Sequence, residues 1–209
     1  MVKKLFWIFT TLIMITDSQA QSAIAGEYYL RGVTETASGF LLKPDAGFEF
    51  FFSYGALDRD GSGKWRQDGN EIIFNSKPRP VHDFSLVNSK KINGDSITIK
   101  ITDQNSLLVK YVYGKLSLAD AELEAMTNED GEMKFPATAP KILSLVFQFC
   151  PEKVSLFELS ENHNYFEFRF QPWIMEYFFN DFRLRLDGKN LKGKHPLLDD
   201  KEYVFEKRK

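Results

Sequence analysis

A two-residue rhythm limits this chain more than any other feature. In 48–54, Phe48, Phe50, Phe52 and Tyr54 alternate with Glu49, Phe51 and Ser53. In 96–102, Ile97, Ile99 and Ile101 alternate with polar residues, and Leu143, Leu145, Phe147 and Phe149 share a phase in 142–149. Phe166, Phe168 and Phe170 repeat the pattern in 165–171, as do Phe182, Leu184 and Leu186 in 182–187. Successive side chains of a strand point to opposite faces, so a period of two marks a strand with one buried face. Turn signals separate the runs: Pro44-Asp45-Ala46-Gly47, Asp68-Gly69-Asn70, Asn93-Gly94-Asp95, Glu129-Asp130-Gly131 and Asp187-Gly188-Lys189. Glycine accepts positive φ without a Cβ clash, which suits tight hairpins. Many short strands joined by such turns predict an all-β fold: an antiparallel barrel or meander plus a β-sandwich-like module.

Stability has to come from the core, because Cys150 is the only cysteine and no internal disulfide is possible. The aromatic content, 20 Phe, 8 Tyr and 3 Trp, supplies that core. Cys150 ends an apolar run and reads as a buried, inert thiol, since its segment shows no basic partner to activate it.

The first twenty residues read as a secretory signal peptide. Lys3 and Lys4 open it, Leu5 to Ile15 form an apolar run, and Ser18-Gln19-Ala20 places small residues before a cut between Ala20 and Gln21. The run is about half of the roughly 20 residues a spanning helix needs, so no membrane anchor is expected after cleavage. The expected location is periplasmic or secreted. A net charge of −2 gives no sign of a nucleic-acid partner.

Domain organisation follows composition. Pro78 and Pro80 in 75–84 disfavour sheet pairing and mark a linker or domain crossing. The expected division is a signal at 1–20, a β-meander at 21–88, a sandwich module at 89–160, and C-terminal strands at 161–209, whose return to the first domain the sequence leaves open. Residues 117–126 combine helix-forming composition with alternation and read as a strand on context. Residues 172–182 leave a helical turn open.

Chemical motifs are few. Asp58, Asp60, Ser62 and Gly63 match the start of a helix–loop–helix calcium loop, but the position that needs a bidentate glutamate is Gly69. The stretch 56–63 reads instead as a polar loop between strands, with no metal. His82, His163 and His195 lie far apart with no metal-ligand spacing. Gly61-Ser62-Gly63-Lys64 lacks the full phosphate-loop frame, since Trp65 follows the lysine. Ser38-Gly39 reads as a bend rather than a nucleophile. Glu122 and Glu124 share a strand face, the wet one. No cofactor and no catalytic residue is assigned.

Gly26-Glu27-Tyr28, the stretch 41–50 and the stretch 61–74 together resemble lipocalin-like small β-domains of exported bacterial proteins, with Trp65 where such domains carry a Trp. Lipocalins usually open G-x-W, and this chain has Tyr28 at that place. The final stretch 182–209 is similar to a lipocalin-type closing hairpin. Residues 118–136, with Thr127, Gly131 and Phe135, resemble carboxypeptidase-regulatory, transthyretin-like β-sandwiches. Both resemblances imply binding or structural modules and transfer no active residue.

The expected function is that of an exported, noncatalytic β-protein whose partner is an unknown protein or a small apolar ligand. Phe48, Phe50, Phe52 and Trp65 are the residues in question. They line a ligand cavity if the protein is a carrier, and fill the core if it is not. A secreted hydrolase built from scattered acids and histidines is the other alternative.

Overall fold

The computed structural model describes residues 23–136 and 142–209. The expected signal sequence and its cleavage point at Ala20 and Gln21 lie outside the described residues. The chain is all-β, with sixteen strands among the described residues.

Its described residues divide into two units, those within 1–79 and 176–209 and those within 80–175. The first is a closed antiparallel barrel of eight strands: β1 (Gly26–Leu30), β2 (Thr36–Leu42), β3 (Gly47–Tyr54), β4 (Leu57–Asp68), β5 (Glu71–Asn75), β14 (Phe182–Asp187), β15 (Asn190–Lys194) and β16 (Glu202–Lys207). Each strand pairs with the next in that order, and β16 closes on β1 with Tyr28 opposite Lys207. Closure removes every open edge. The tight turns fall at Gly55, Gly69 and Gly188, all at positive φ.

The second unit holds two four-stranded sheets around one core. One sheet runs β10 (Glu132–Pro136), β7 (Ser96–Thr102), β13 (Tyr165–Phe170), β6 (Phe84–Lys90). The other runs β12 (Ser155–Glu158), β11 (Ile142–Phe147), β8 (Val112–Ser117), β9 (Glu122–Met126). Ile97, Ile99, Phe166 and Phe168 of the first sheet meet Val112, Leu116, Leu143 and Leu145 of the second. Gly114 lets the sheets interlock, because a Cβ there would lie 2.2 Å from the Met133 sulfur. Cys150 is fully buried in this core.

The domain limits differ from those expected. Most of β6 lies within the expected N-terminal meander, yet it pairs with β13. β13 lies within the expected C-terminal strands, yet it runs parallel to β7 and antiparallel to β6. Alternation shows which face of a strand is apolar but not which sheet will cover it, and Phe84 and Phe166 bury together in the second core. The crossings fall at 79/80, beside the two prolines, and at 175/176. Within 172–182, residues 172–175 form a turn and no helix.

Two local expectations are overturned. The stretch 57–68 is one twelve-residue strand, so Asp58-Arg59-Asp60-Gly61-Ser62-Gly63 is not a loop. Ser38 and Gly39 lie mid-strand in β2 and form no bend. The reason in β4 is hidden alternation: Leu57, Arg59, Gly61, Gly63 and Trp65 take the inward positions, two of them without side chains. A Cβ on Gly63 would stand 2.1 Å from the Asn75 carbonyl oxygen. Glycine in a strand marks such close backbone approach. Gly63→Ala is expected to lose about 1–3 kcal/mol, read as a lower midpoint in thermal unfolding.

Candidate functional site

The barrel interior is where the sequence placed its candidate residues, and the structure brings them together. Phe48, Phe50 and Trp65 are each 2% exposed and Phe52 is 4%. Tyr54, in the same phase, is 53% exposed because it sits at the hairpin end of β3. Phe40, Phe74, Phe179 and Phe205 share the interior, none more than 3% exposed. Phe179 holds the centre. Its ring lies 5.2 Å from Phe48, 5.2 Å from Phe50, 5.8 Å from Phe40 and 5.4 Å from Phe182. These separations are those of packed aromatic pairs. Eight strands leave an interior just wide enough for side chains to fill, and here rings occupy it.

Phe179 was not singled out from sequence. It belongs to no strand. Its segment is stitched to β4 and to the end of β5: Tyr177 N–H donates to the Asp60 carbonyl at 2.7 Å, and Phe179 N–H donates to Ser76 Oγ at 3.0 Å. Gly61 clears the path, since a Cβ there would lie 2.8 Å from the Phe179 ring.

Two polar side chains are buried at one end of this core. Ser38 is 2% exposed and His195 is 4%. His195 Nδ1 accepts the Leu197 backbone N–H at 3.0 Å. Its Nε2 therefore carries the hydrogen and donates to Ser38 Oγ at 2.9 Å. The Ser38 hydroxyl in turn donates to the Phe51 carbonyl at 2.8 Å. A serine nucleophile needs the imidazole to accept its proton. Here the roles run the other way, and the pair pins β2 to the 195–197 segment. Burial pushes the His195 imidazole down from 6.5 to about 4, so it is neutral at ordinary pH. Arg59, also buried, lies with its guanidinium 5.6 Å from the Tyr177 ring centre. Neither Arg59 nor His195 carries a sequence motif. The inward phase of Arg59 was the available signal.

The outer wall carries a trough of about 430 Å³ across β1–β4. Its floor is the backbone of Phe40, Phe50 and Gly61, which face inward. Tyr29 and Phe51 form one wall, their rings 6.0 Å apart and edge to face over Gly39. Leu41 and Glu49 belong to the other. Gly39 creates the step, because a Cβ there would meet the Phe51 ring at 2.9 Å. Glu27 accepts from Tyr29 at 2.9 Å and pairs with Arg208, which holds its carboxyl below the usual range. Phe51, 39% exposed, reads as an ordinary surface position by alternation alone.

Asp58, Asp60 and Ser62 share the exposed face of β4. Residues two apart on a strand are spaced about 7 Å, whereas calcium ligands converge within about 2.3–2.6 Å of one ion. Millimolar calcium is expected to leave the melting temperature unchanged. A calcium-dependent rise that disappears in the Asp58→Ala, Asp60→Ala double variant would overturn this.

The fold and site thus define a class: a closed, aromatic-filled eight-strand barrel with a β-sandwich inserted between its fifth and sixth strands. No protein family, curated protein or solved structure matches the chain.

Proposed function

We propose that the protein is an exported, noncatalytic, lipocalin-like β-protein that binds or supports a partner through its outer surfaces. One observation carries the reading: the barrel interior, where a carrier would hold its ligand, is packed with the rings of Phe40, Phe48, Phe50, Phe74 and Phe179. The closed eight-strand meander, an architecture that lipocalins also have, supports the lipocalin-like part. The double sheet of the inserted unit is consistent with a transthyretin-like module. The reversed hydrogen-bond roles of Ser38 and His195 speak against a hydrolytic pair. The surface offered is the trough beside Tyr29 and Phe51. Export rests on the pattern of the first twenty residues.

Native mass spectrometry of the protein purified from its source tests this. The expected mass is that of a chain beginning at Gln21 with no small molecule retained. A stoichiometric apolar molecule released on denaturation would replace the reading with ligand carriage. A chain still beginning at Met1 would remove the export part alone.

A further inference from the structure

The segment 195–201 joins β15 to β16 at the barrel end marked by Ser38, Phe52 and the 55–56 turn. Its first half turns onto the core, with His195 buried and Leu197 and Leu198 half-buried, while 199–201 are exposed. His195 is buried against Phe205 at 5.8 Å, Phe52 at 5.4 Å and Phe50 at 6.0 Å, and Leu197 and Leu198 pack onto the same cluster. Both imidazole nitrogens are committed. Nε2–H donates to Ser38, and Nδ1 accepts the backbone N–H of Leu197. That second bond exists only while Nδ1 is bare, because a backbone amide can only donate.

Among the described residues no carboxylate acts on the imidazole, and burial is the cause of its lowered affinity for a proton. The charged and titratable side chains that face it from the packed elements are Arg59 of β4, opposite Phe52, and Tyr203 of β16, whose ring lies 6.1 Å from the imidazole. The other charged side chains of β3 and β4 point outward, as do Glu202 and Glu206 of β16. Arg59 is a cation. The Tyr203 hydroxyl is turned to Asp199, donating to it at 2.6 Å, and Asp199 pairs with Lys201. β2 faces it with Ser38 and β3 with the rings of Phe50 and Phe52.

We propose that residues 195–201 form an acid-released cap on the barrel: a proton on Nδ1 of His195 sets two N–H donors against each other and frees Leu197 and Leu198 from the aromatic core. The proton comes from water, and no other bond is made or broken. In the released cap the imidazole is solvated and titrates near 6.5, whereas burial in the closed cap holds it at about 4. The open form therefore binds the proton more readily. Closure is fully stable above 6.5 and weakens as pH falls toward 4. The whole interval corresponds to a factor of about 300 in the closed-to-open ratio.

Hydrogen–deuterium exchange on the full chain at pH 7 and pH 5, corrected for intrinsic rates, tests the cap. At pH 5, peptides covering 195–203 are expected to lose protection about 20-fold relative to pH 7, while peptides of β7 and β13 in the other unit keep theirs. His195→Gln, which cannot titrate, is expected to abolish the step. A loss below tenfold, an equal loss in both units, or a step that survives in a folded His195→Gln protein would overturn the proposal. If that variant does not fold, the wild-type comparison between the two units decides alone.

Discussion

Trp65→Ala is expected to cost about 3–5 kcal/mol, a large part of the roughly 5–15 kcal/mol that holds such a domain folded. The ring is 2% exposed and stands opposite Phe74 on β5. Truncation forfeits its transfer energy and leaves a cavity that a closed barrel cannot collapse. The indole also ties β4 to the turn before β3, since Nε1–H donates to the Lys43 carbonyl at 3.1 Å. Trp65→Phe is expected to be much milder. It keeps most of the apolar volume, and the Lys43 carbonyl still accepts the Ala46 N–H at 3.1 Å. Urea unfolding followed by circular dichroism measures both. Near-normal stability of Trp65→Ala would mean that the ring is not part of the core.

Phe179→Ala is expected to be as damaging, about 3–5 kcal/mol, although Phe179 lies outside every strand. Its ring touches those of Phe40, Phe48, Phe50, Tyr177 and Phe182. No neighbouring strand can move in to replace it, because the barrel is held by pairing on both sides of each strand. An apolar cavity of phenyl size stays dry and accepts benzene. Benzene-saturated buffer should therefore raise the melting temperature of Phe179→Ala and leave the wild type unchanged. If the wild type responds as strongly, the interior has room that the ring contacts do not suggest. Phe51→Ala is the control. At 39% exposure it should cost well under half as much.

The sequence by itself determined that strands form and which face of each is apolar. Phe48, Phe50 and Phe52 could not alternate with Glu49 and Ser53 in any regular structure but a half-buried strand. The positive-φ turns at Gly69 and Gly188 were equally legible, since their Asp-Gly pairs sit between alternating runs. Tertiary structure decided the rest. The glycines of β4 hid a twelve-residue strand inside what reads as a loop, because their reason is the nearness of Asn75 and Phe179, which are remote in sequence. The assignment of β6 and β13 to the inserted sheet, the central place of Phe179, and the meeting of Ser38 with His195 across 157 residues also escaped local pattern. Local rules act through neighbouring side chains and backbone angles. Which strands become partners depends on long-range closure, where chain entropy is offset only once many distant contacts form together.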